Sequence, residues 1–258
     1  MALSTKTRDE IKDFLVKTVR EKLKSYKPET GYAPFQHRLL GKDKYATFSF
    51  IQSMNTTFGM SIWEQVATLL ARNKKYTAQR QYKLLGTIDD KTAEVINEIH
   101  YKLRKGESIA NKAKEVQQIQ KSIKNGEAKS DPDSTVDFFV NIKGIENFFD
   151  ITSTKPNMKE FVALKLKLLR WTALRLSQSK NVKVFTRLAI PYNPYYPDSY
   201  ERWTLKGLYD LENGEILVGK EFWDFVRGAG TYETLLNVFQ KAGEIIKPEL
   251  DKTFANFK

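Results

Sequence analysis

Hydrophobic positions in the first quarter of the chain recur with a helical period. Between residues 7 and 25, charged residues are interspersed with an apolar stripe at helical spacing, formed by Ile11, Phe14, Leu15, Val19 and Leu23. This pattern predicts an amphipathic helix. After a loop through Pro28 and Pro34, the segment Ser61-Ile-Trp-Glu64 has the form of a capping box, which predicts a helix that begins there and ends near Arg72.

Two further helical patterns lie between residues 95 and 123. They are rich in lysine and glutamine and are separated by Lys105-Gly106, a pair typical of a turn. We therefore expect a helical hairpin inserted at about residues 86–126. It forms either a solvated helix pair or a surface for dimerisation or DNA binding.

The pattern changes to that of β-strands after residue 134. Residues 136–142 and 147–154 are β-branched and aromatic, and Lys143-Gly144 separates them, which predicts an antiparallel hairpin. Residues 158–177 return to a helical period, and residues 182–190 alternate as a strand. Short strands are expected at 205–208 and 215–218, and helices at 221–225, 232–241 and 248–257. Because no linker divides the chain, we expect a single mixed α/β domain over residues 1–258.

The charge of the chain indicates a polyanionic partner. It has 43 Lys and Arg residues against 31 Asp and Glu residues, a formal net charge of +12. Nucleic acid is the commonest such partner, since neutralising phosphates releases condensed counterions. No apolar run approaches the roughly 18 residues of a membrane helix, and the N-terminal segment has no signal-peptide pattern. A cytoplasmic location without a membrane partner is expected.

The residue types that are missing narrow the possible chemistry. The chain has no cysteine, which excludes thiol catalysis, disulfides and cysteine-type zinc sites. Its two histidines, His37 and His100, are far apart and form no HExxH motif, which disfavours a zinc hydrolase or a histidine triad. Hydrolysis by this chain would depend on carboxylates, lysine and a hard cation such as magnesium.

Carboxylates and a lysine meet at the open end of the predicted hairpin. Asp137 lies near the start of its first strand, and Asp150, Ser153 and Lys155 lie at the end of its second. Ser153 and Lys155 would share one strand face, and Asp150 and Thr152 the other. Magnesium-dependent phosphodiester hydrolysis requires two or more carboxylates and usually a lysine near the attacking water. We therefore place the candidate site between Asp137 and Lys155.

This hairpin resembles that of the PD-(D/E)xK nuclease superfamily, in which an acid faces an acid-x-lysine motif on the next strand. Either Asp150 fills the motif's acid position, with Thr152 in place of lysine, or Ser153-Thr-Lys155 is the motif. The segments at 149–157 and 219–225, with Thr57-Phe-Gly ahead of Glu64, are similar to those of TdeIII-type restriction endonucleases. Together these similarities cover about two thirds of the chain.

The resemblance implies a restriction-endonuclease-like core, a central mixed β-sheet flanked by helices. It also implies a homodimer that uses Mg²⁺ to cut double-stranded DNA at a short palindromic, GGNCC-like site. By the same resemblance Asp137 would bind magnesium and Lys155 would orient or activate the attacking water. Glu64 would supply a further metal-binding carboxylate, and Asp150 and Ser153 compete for the position between them.

Candidate DNA-binding residues lie outside this cluster. The helix at 158–177 carries lysines suited to a phosphate backbone, among them Lys159 and Lys165. The proline- and tyrosine-rich loop after residue 190 is expected to be exposed and leads to Arg202 and Lys206, candidates for reading guanine. Arg80 belongs to a basic and aromatic cluster at 74–83. Two alternatives to a restriction enzyme remain open: a structure-specific repair or recombination nuclease, and a DNA-binding protein without activity.

Overall fold

A computed structural model describes residues 3–27, 33–124, 129–200 and 205–255, with the side chains of residues 60, 129 and 130 left out of the description. The helices are α1 (Thr5–Ser25), α2 (Pro34–Leu40), α3 (Lys42–Thr57), α4 (Trp63–Asn73), α5 (Asp90–Lys105), α6 (Lys112–Ser122), α7 (Met158–Gln178), α8 (Lys220–Arg227) and α9 (Thr231–Ala255). The strands are β1 (Thr77–Gly86), β2 (Lys129–Ile142), β3 (Ile145–Ile151), β4 (Lys183–Ile190) and β5 (Ile216–Val218). Among the described residues, no helix is long and apolar enough to cross a membrane.

The chain divides into two compact units, one made of residues 1–69 and 228–258 and the other of residues 70–227. The first unit is helical, and α1 packs against α9 within it. Arg20 of α1 and Glu249 of α9 form an ion pair of 2.7 Å between these helices. The expected single restriction-endonuclease-like domain over residues 1–258 stays a prediction.

The start of α4 differs from the capping box expected at Ser61. Helix α3, which the sequence patterns did not predict, continues through a π-helical turn, Phe58–Ile62, directly into α4. The Ser61 hydroxyl donates to the carbonyl of Thr57 at 3.1 Å, as serine does inside a helix, and caps nothing. The predicted helix start is therefore wrong, although the predicted end near Arg72 is confirmed.

The end of the chain forms one helix where two were predicted. Pro248 lies inside α9 and removes one backbone hydrogen bond without ending the helix. The buried stripe of α9 runs through Leu235, Val238, Ala242 and Ile246. Burial of this stripe outweighs the local cost of the proline.

The second unit contains a five-stranded sheet of order β1-β2-β3-β4-β5. Strands β1, β2 and β3 pair antiparallel, whereas β3-β4 and β4-β5 are parallel. The predicted hairpin is confirmed, with Ile142 opposite Ile145 across the Lys143-Gly144 turn. The strand expected at 205–208 is wrong, because this segment forms turns with a single bridge between Lys206 and Tyr209. Strand β1, in the basic and aromatic segment, was not predicted.

Helices cover both faces of this sheet, so the mixed sheet flanked by helices is confirmed. Helices α5 and α6 pack on α7, which lies against the sheet, and their apolar residues join its core. Phe139 and Phe148 belong to this side, whereas Phe138 and Phe149 contact Phe222 of α8 on the other side. Each fully buried phenylalanine stabilises the fold by about 1.5–3 kcal/mol.

A cluster of buried charges links α6, α7 and the residue before β5. We call Lys112, Glu115, Lys165 and Glu215 the buried ionic cluster. Lys165 Nζ lies 2.9 Å from a Glu115 oxygen and 2.8 Å from a Glu215 oxygen, and Lys112 Nζ lies 3.0 Å from Glu215. Burial would raise the pKa of Glu215, but the charges of Lys112 and Lys165 outweigh it and lower that pKa to about 2. Two lysines and two glutamates thus balance each other away from water.

The contact between β1 and α7 leaves no room for a side chain at residue 86. A Cβ atom added to Gly86 would collide with the backbone carbonyl of Leu174. We expect Gly86→Ala to destabilise the protein by about 1–3 kcal/mol, because backbone must move to relieve the overlap. Urea unfolding measures this change. Gly243→Ala is the control, since a Cβ there meets nothing within 4 Å. A Gly86→Ala protein as stable as the wild type would contradict this close packing.

Candidate active site

Asp137 and Asp150 lie side by side at the open end of the β2-β3 hairpin. Phe138 is opposite Phe149, so the next pair outward is Asp137 and Asp150. Neighbouring residues in such a pair share one face of the sheet, here the face covered by α7. The Ile151 amide donates to Asp137 Oδ2 at 2.8 Å. At this end of the strand the hydrogen-bond acceptor is therefore the Asp137 side chain. Asp137 is half-buried and Asp150 is buried.

A lysine from α7 reaches this carboxylate pair. Lys167 Nζ lies 2.5 Å from Asp150 Oδ2 and 4.9 Å from the centroid of the Trp171 ring. Burial alone would lower the pKa of Lys167, but the charges of Asp150, Asp137 and Asp133 outweigh it and raise this pKa above its ordinary value. Sequence reasoning noticed Lys167 only as one of several helix lysines. The sequence feature that could have singled out Lys167 is its position four residues before Trp171, which is buried.

Ser153 and Lys155 lie beyond the end of β3, which is Ile151. The expectation that they share a strand face is therefore wrong. Both side chains are exposed, and Lys155 Nζ lies 5.1 Å from the centroid of the Tyr195 ring. Asp150, rather than Ser153, is the residue that faces Asp137.

The tyrosine-rich loop after β4 packs beside the loop that carries Lys155. Tyr200 donates its hydroxyl to the carbonyl of Thr154 at 2.8 Å, and burial raises the pKa of Tyr200 to about 12. Tyr196 is 85% exposed, in agreement with the expected exposure of this loop. Arg202 lies outside the described residues, and Lys206 is exposed.

The helix lysines differ from the expected phosphate-binding face. Lys165 is fully buried in the ionic cluster, so its proposed contact with DNA is wrong. Arg170 pairs with Asp131 and Arg175 with Glu146. Lys159 is exposed in the first turn of α7, and Arg80 is half-buried in β1. The DNA-binding roles of Lys159 and Arg80 stay predictions.

Glu64 belongs to the helical unit and is buried in the first turn of α4. The capping box expected at Ser61–Glu64 does not form, because Ser61 begins no helix. The backbone carbonyl of Glu64 accepts the Thr68 hydroxyl at 2.8 Å. Its role as a metal ligand stays a prediction.

The oxygens of Asp137 and Asp150 match the ligands that magnesium prefers. Two carboxylates that are adjacent across a hairpin and fixed by backbone and lysine contacts suit a hard divalent cation. Within the described ranges, no group of three or more His, Cys, Asp or Glu side chains comes together as a metal site. The carboxylates that lie together here are thus a pair, and an ion bound to them would need further ligands.

Comparison with known proteins adds the decisive observation. A family model described as "Type II restriction endonuclease, HinfI" matches residues 3–243. The chain belongs to this HinfI family. The enzyme class that the resemblance to restriction endonucleases implied is therefore confirmed at the level of the family.

Individual relatives of this HinfI family member are also described as type II restriction enzymes. The type II restriction enzyme MjaII of Methanocaldococcus jannaschii is 26% identical over 82% of this chain. HgiEI and HgiBI of Herpetosiphon aurantiacus, also type II restriction enzymes, are each 24% identical over 94% of it. The aligned region spans 58% of MjaII but 95% of HgiEI and of HgiBI.

Proposed function

We propose that this protein is a magnesium-dependent endonuclease that cuts both strands of DNA at a short palindromic site. The observation that carries the proposal is the Asp137–Asp150 pair at the hairpin end, in a chain of the HinfI family. The net charge of +12 supports a DNA substrate. A two-fold DNA site calls for a two-fold protein, so we also propose a homodimer.

Asp137 and Asp150 would hold the magnesium ion, and Glu64 is proposed as a further ligand. When bound, the ion supplies positive charge to the phosphoryl oxygens and lowers the pKa of a coordinated water. The Ile151 amide fixes the Asp137 carboxylate. Lys155, on the exposed loop beside Tyr195, is proposed to orient the attacking water.

The finer assignments belong to the same proposal. Membership of the PD-(D/E)xK superfamily is supported by the acidic pair on a β-hairpin, and Asp150 would fill the motif's acid position. The similarity to TdeIII-type enzymes and the GGNCC-like recognition site rest on the sequence segments alone. Lys206, Arg202 and the exposed tyrosine loop are proposed to contact bases.

Digestion of plasmid DNA tests the function. The purified protein is incubated with supercoiled plasmid in magnesium and, separately, in EDTA, and the fragment ends are sequenced. We expect discrete bands with one common end sequence in magnesium and intact plasmid in EDTA.

Other outcomes of the digestion favour the alternatives. A smear, or nicking confined to branched or damaged DNA, would favour a structure-specific nuclease. Salt-sensitive DNA binding without cleavage in any divalent metal would favour a binding protein.

A further inference from the structure

The strand position where an acid-x-lysine motif would carry its lysine holds Thr152. The Thr152 amide still donates to the Ala189 carbonyl at 3.0 Å, so the backbone continues beside β4 after β3 ends. Two residues after Asp150 on an extended chain, Thr152 returns to the same face of the sheet. A threonine hydroxyl cannot supply positive charge there. The carboxylate pair therefore has no positively charged side chain from its own strand.

Lys167, on a different element, places its positively charged side chain beside this carboxylate pair. Its ammonium is 2.5 Å from Asp150, and its side chain keeps 27% of its surface exposed, so it contacts the carboxylate and remains accessible to a ligand. We propose that Lys167 of α7 is a second catalytic lysine of this site, in addition to Lys155, in the position that residue 152 would otherwise fill. This inference rests on the proposed nuclease function.

The surroundings of Lys167 hold it in place more firmly than those of Lys155. Asn157 and Glu160 form a capping box that begins α7, and Trp171 donates to the Asp133 carbonyl at 2.6 Å. Two residues before Lys167, Lys165 is fixed in the buried ionic cluster. Lys155 instead lies on an exposed loop. A catalytic group on a helix that is anchored on both sides of it is preorganised for its substrate.

The chemistry assigned to Lys167 is electrostatic. As an ammonium it donates a hydrogen bond to a non-bridging oxygen of the phosphate under attack, where negative charge develops. Lys167 transfers no proton and forms no covalent bond in this role. Its loss should slow the chemical step more than it weakens DNA binding.

Single-turnover cleavage of a duplex with the mapped site measures this effect. We expect Lys167→Met to lower the cleavage rate by about 10²–10³-fold, the range for removal of one charge-stabilising donor, with a DNA Kd within a few-fold of wild type. Lys247→Met, at an exposed position of α9 that has no proposed role in DNA binding, is the matched control and should cleave normally. A folded Lys167→Met protein that cleaves at the wild-type rate would overturn the inference.

A second variant separates catalysis from structural support of Asp150. We expect Thr152→Lys combined with Lys167→Met to recover at least tenfold in rate, because residue 152 shares a face with Asp150. No recovery in a folded double variant would overturn the assignment. The double variant also decides the case if Lys167→Met alone unfolds, since it restores a positive charge beside Asp150. Absence of cleavage by the wild type would instead contradict the proposed function itself.

Discussion

Replacing Asp137 with asparagine is expected to lower the DNA cleavage rate at least about 1,000-fold while DNA binding persists. The asparagine oxygen can still accept from the Ile151 amide, so the hairpin end keeps its hydrogen bond. The negative charge that would hold the cation is lost, at a cost of several kcal/mol, and about 1.4 kcal/mol corresponds to a factor of ten. Single-turnover cleavage and fluorescence anisotropy with a labelled duplex measure the two properties.

An exposed aspartate serves as the control for this variant. Asp251→Asn, on the surface of α9, removes the same charge and should cleave at the wild-type rate. If Asp137→Asn cleaved at more than a tenth of the wild-type rate, the metal-binding role of Asp137 would be wrong.

The second large effect is expected on stability, from Lys165→Met. Lys165 is fully buried between Glu115 and Glu215, so its removal leaves the carboxylates with one buried lysine between them. Removing one partner of a buried charge pair lowers the free energy of unfolding by about 3–5 kcal/mol. We expect the midpoint of urea unfolding to fall accordingly, whereas Lys159→Met should leave it within about 0.5 kcal/mol.

The same cluster gives stability a defined dependence on pH. The pKa of Glu215 in the folded protein is about 2, below its ordinary value of 4.5. The stabilisation from this lowered pKa is therefore complete above about pH 4.5 and is lost as the pH falls toward 2. In Lys165→Met the pKa is lowered less, so the difference in stability between wild type and variant should shrink as the pH falls through this window. A difference that stayed constant from pH 6 to pH 3 would contradict the role of Glu215.

Local patterns predicted the centre of the fold and the location of the carboxylates. The hairpin at Lys143-Gly144 and the long helix after Asn157 each depend on residues close in sequence, so periodicity and turn chemistry identify them. Strand β1 was missed because its polar residues, among them Arg80 and Lys83, obscure the alternation of buried residues. Ser61 shows the opposite error, in which a capping sequence occurs inside a continuous helix.

The roles of individual lysines depend on contacts that no local pattern contains. Lys165 and Glu215 are 50 residues apart in sequence and 2.8 Å apart in space. Their pairing requires α7 to lie across the sheet beside the segment that leads into β5. Lys167 likewise meets Asp150 only because α7 covers that face. Sequence reasoning could therefore count the helix lysines but could not separate buried, catalytic and exposed ones.

The two inward lysines of α7 also define its rotational register. Lys165 and Lys167 are separated by about 200° around a helix and have carboxylate partners in two different places. A turn of the helix by one residue, about 100°, would withdraw both ammonium groups at once and leave both sets of acids without counter-charge. The spacing along α7 between Lys165, in the ionic cluster, and Lys167, at the hairpin end, must therefore stay the same for both contacts to form. A single-residue insertion between positions 165 and 167 should lower the stability of the protein far more than one in the exposed loop at 196–199.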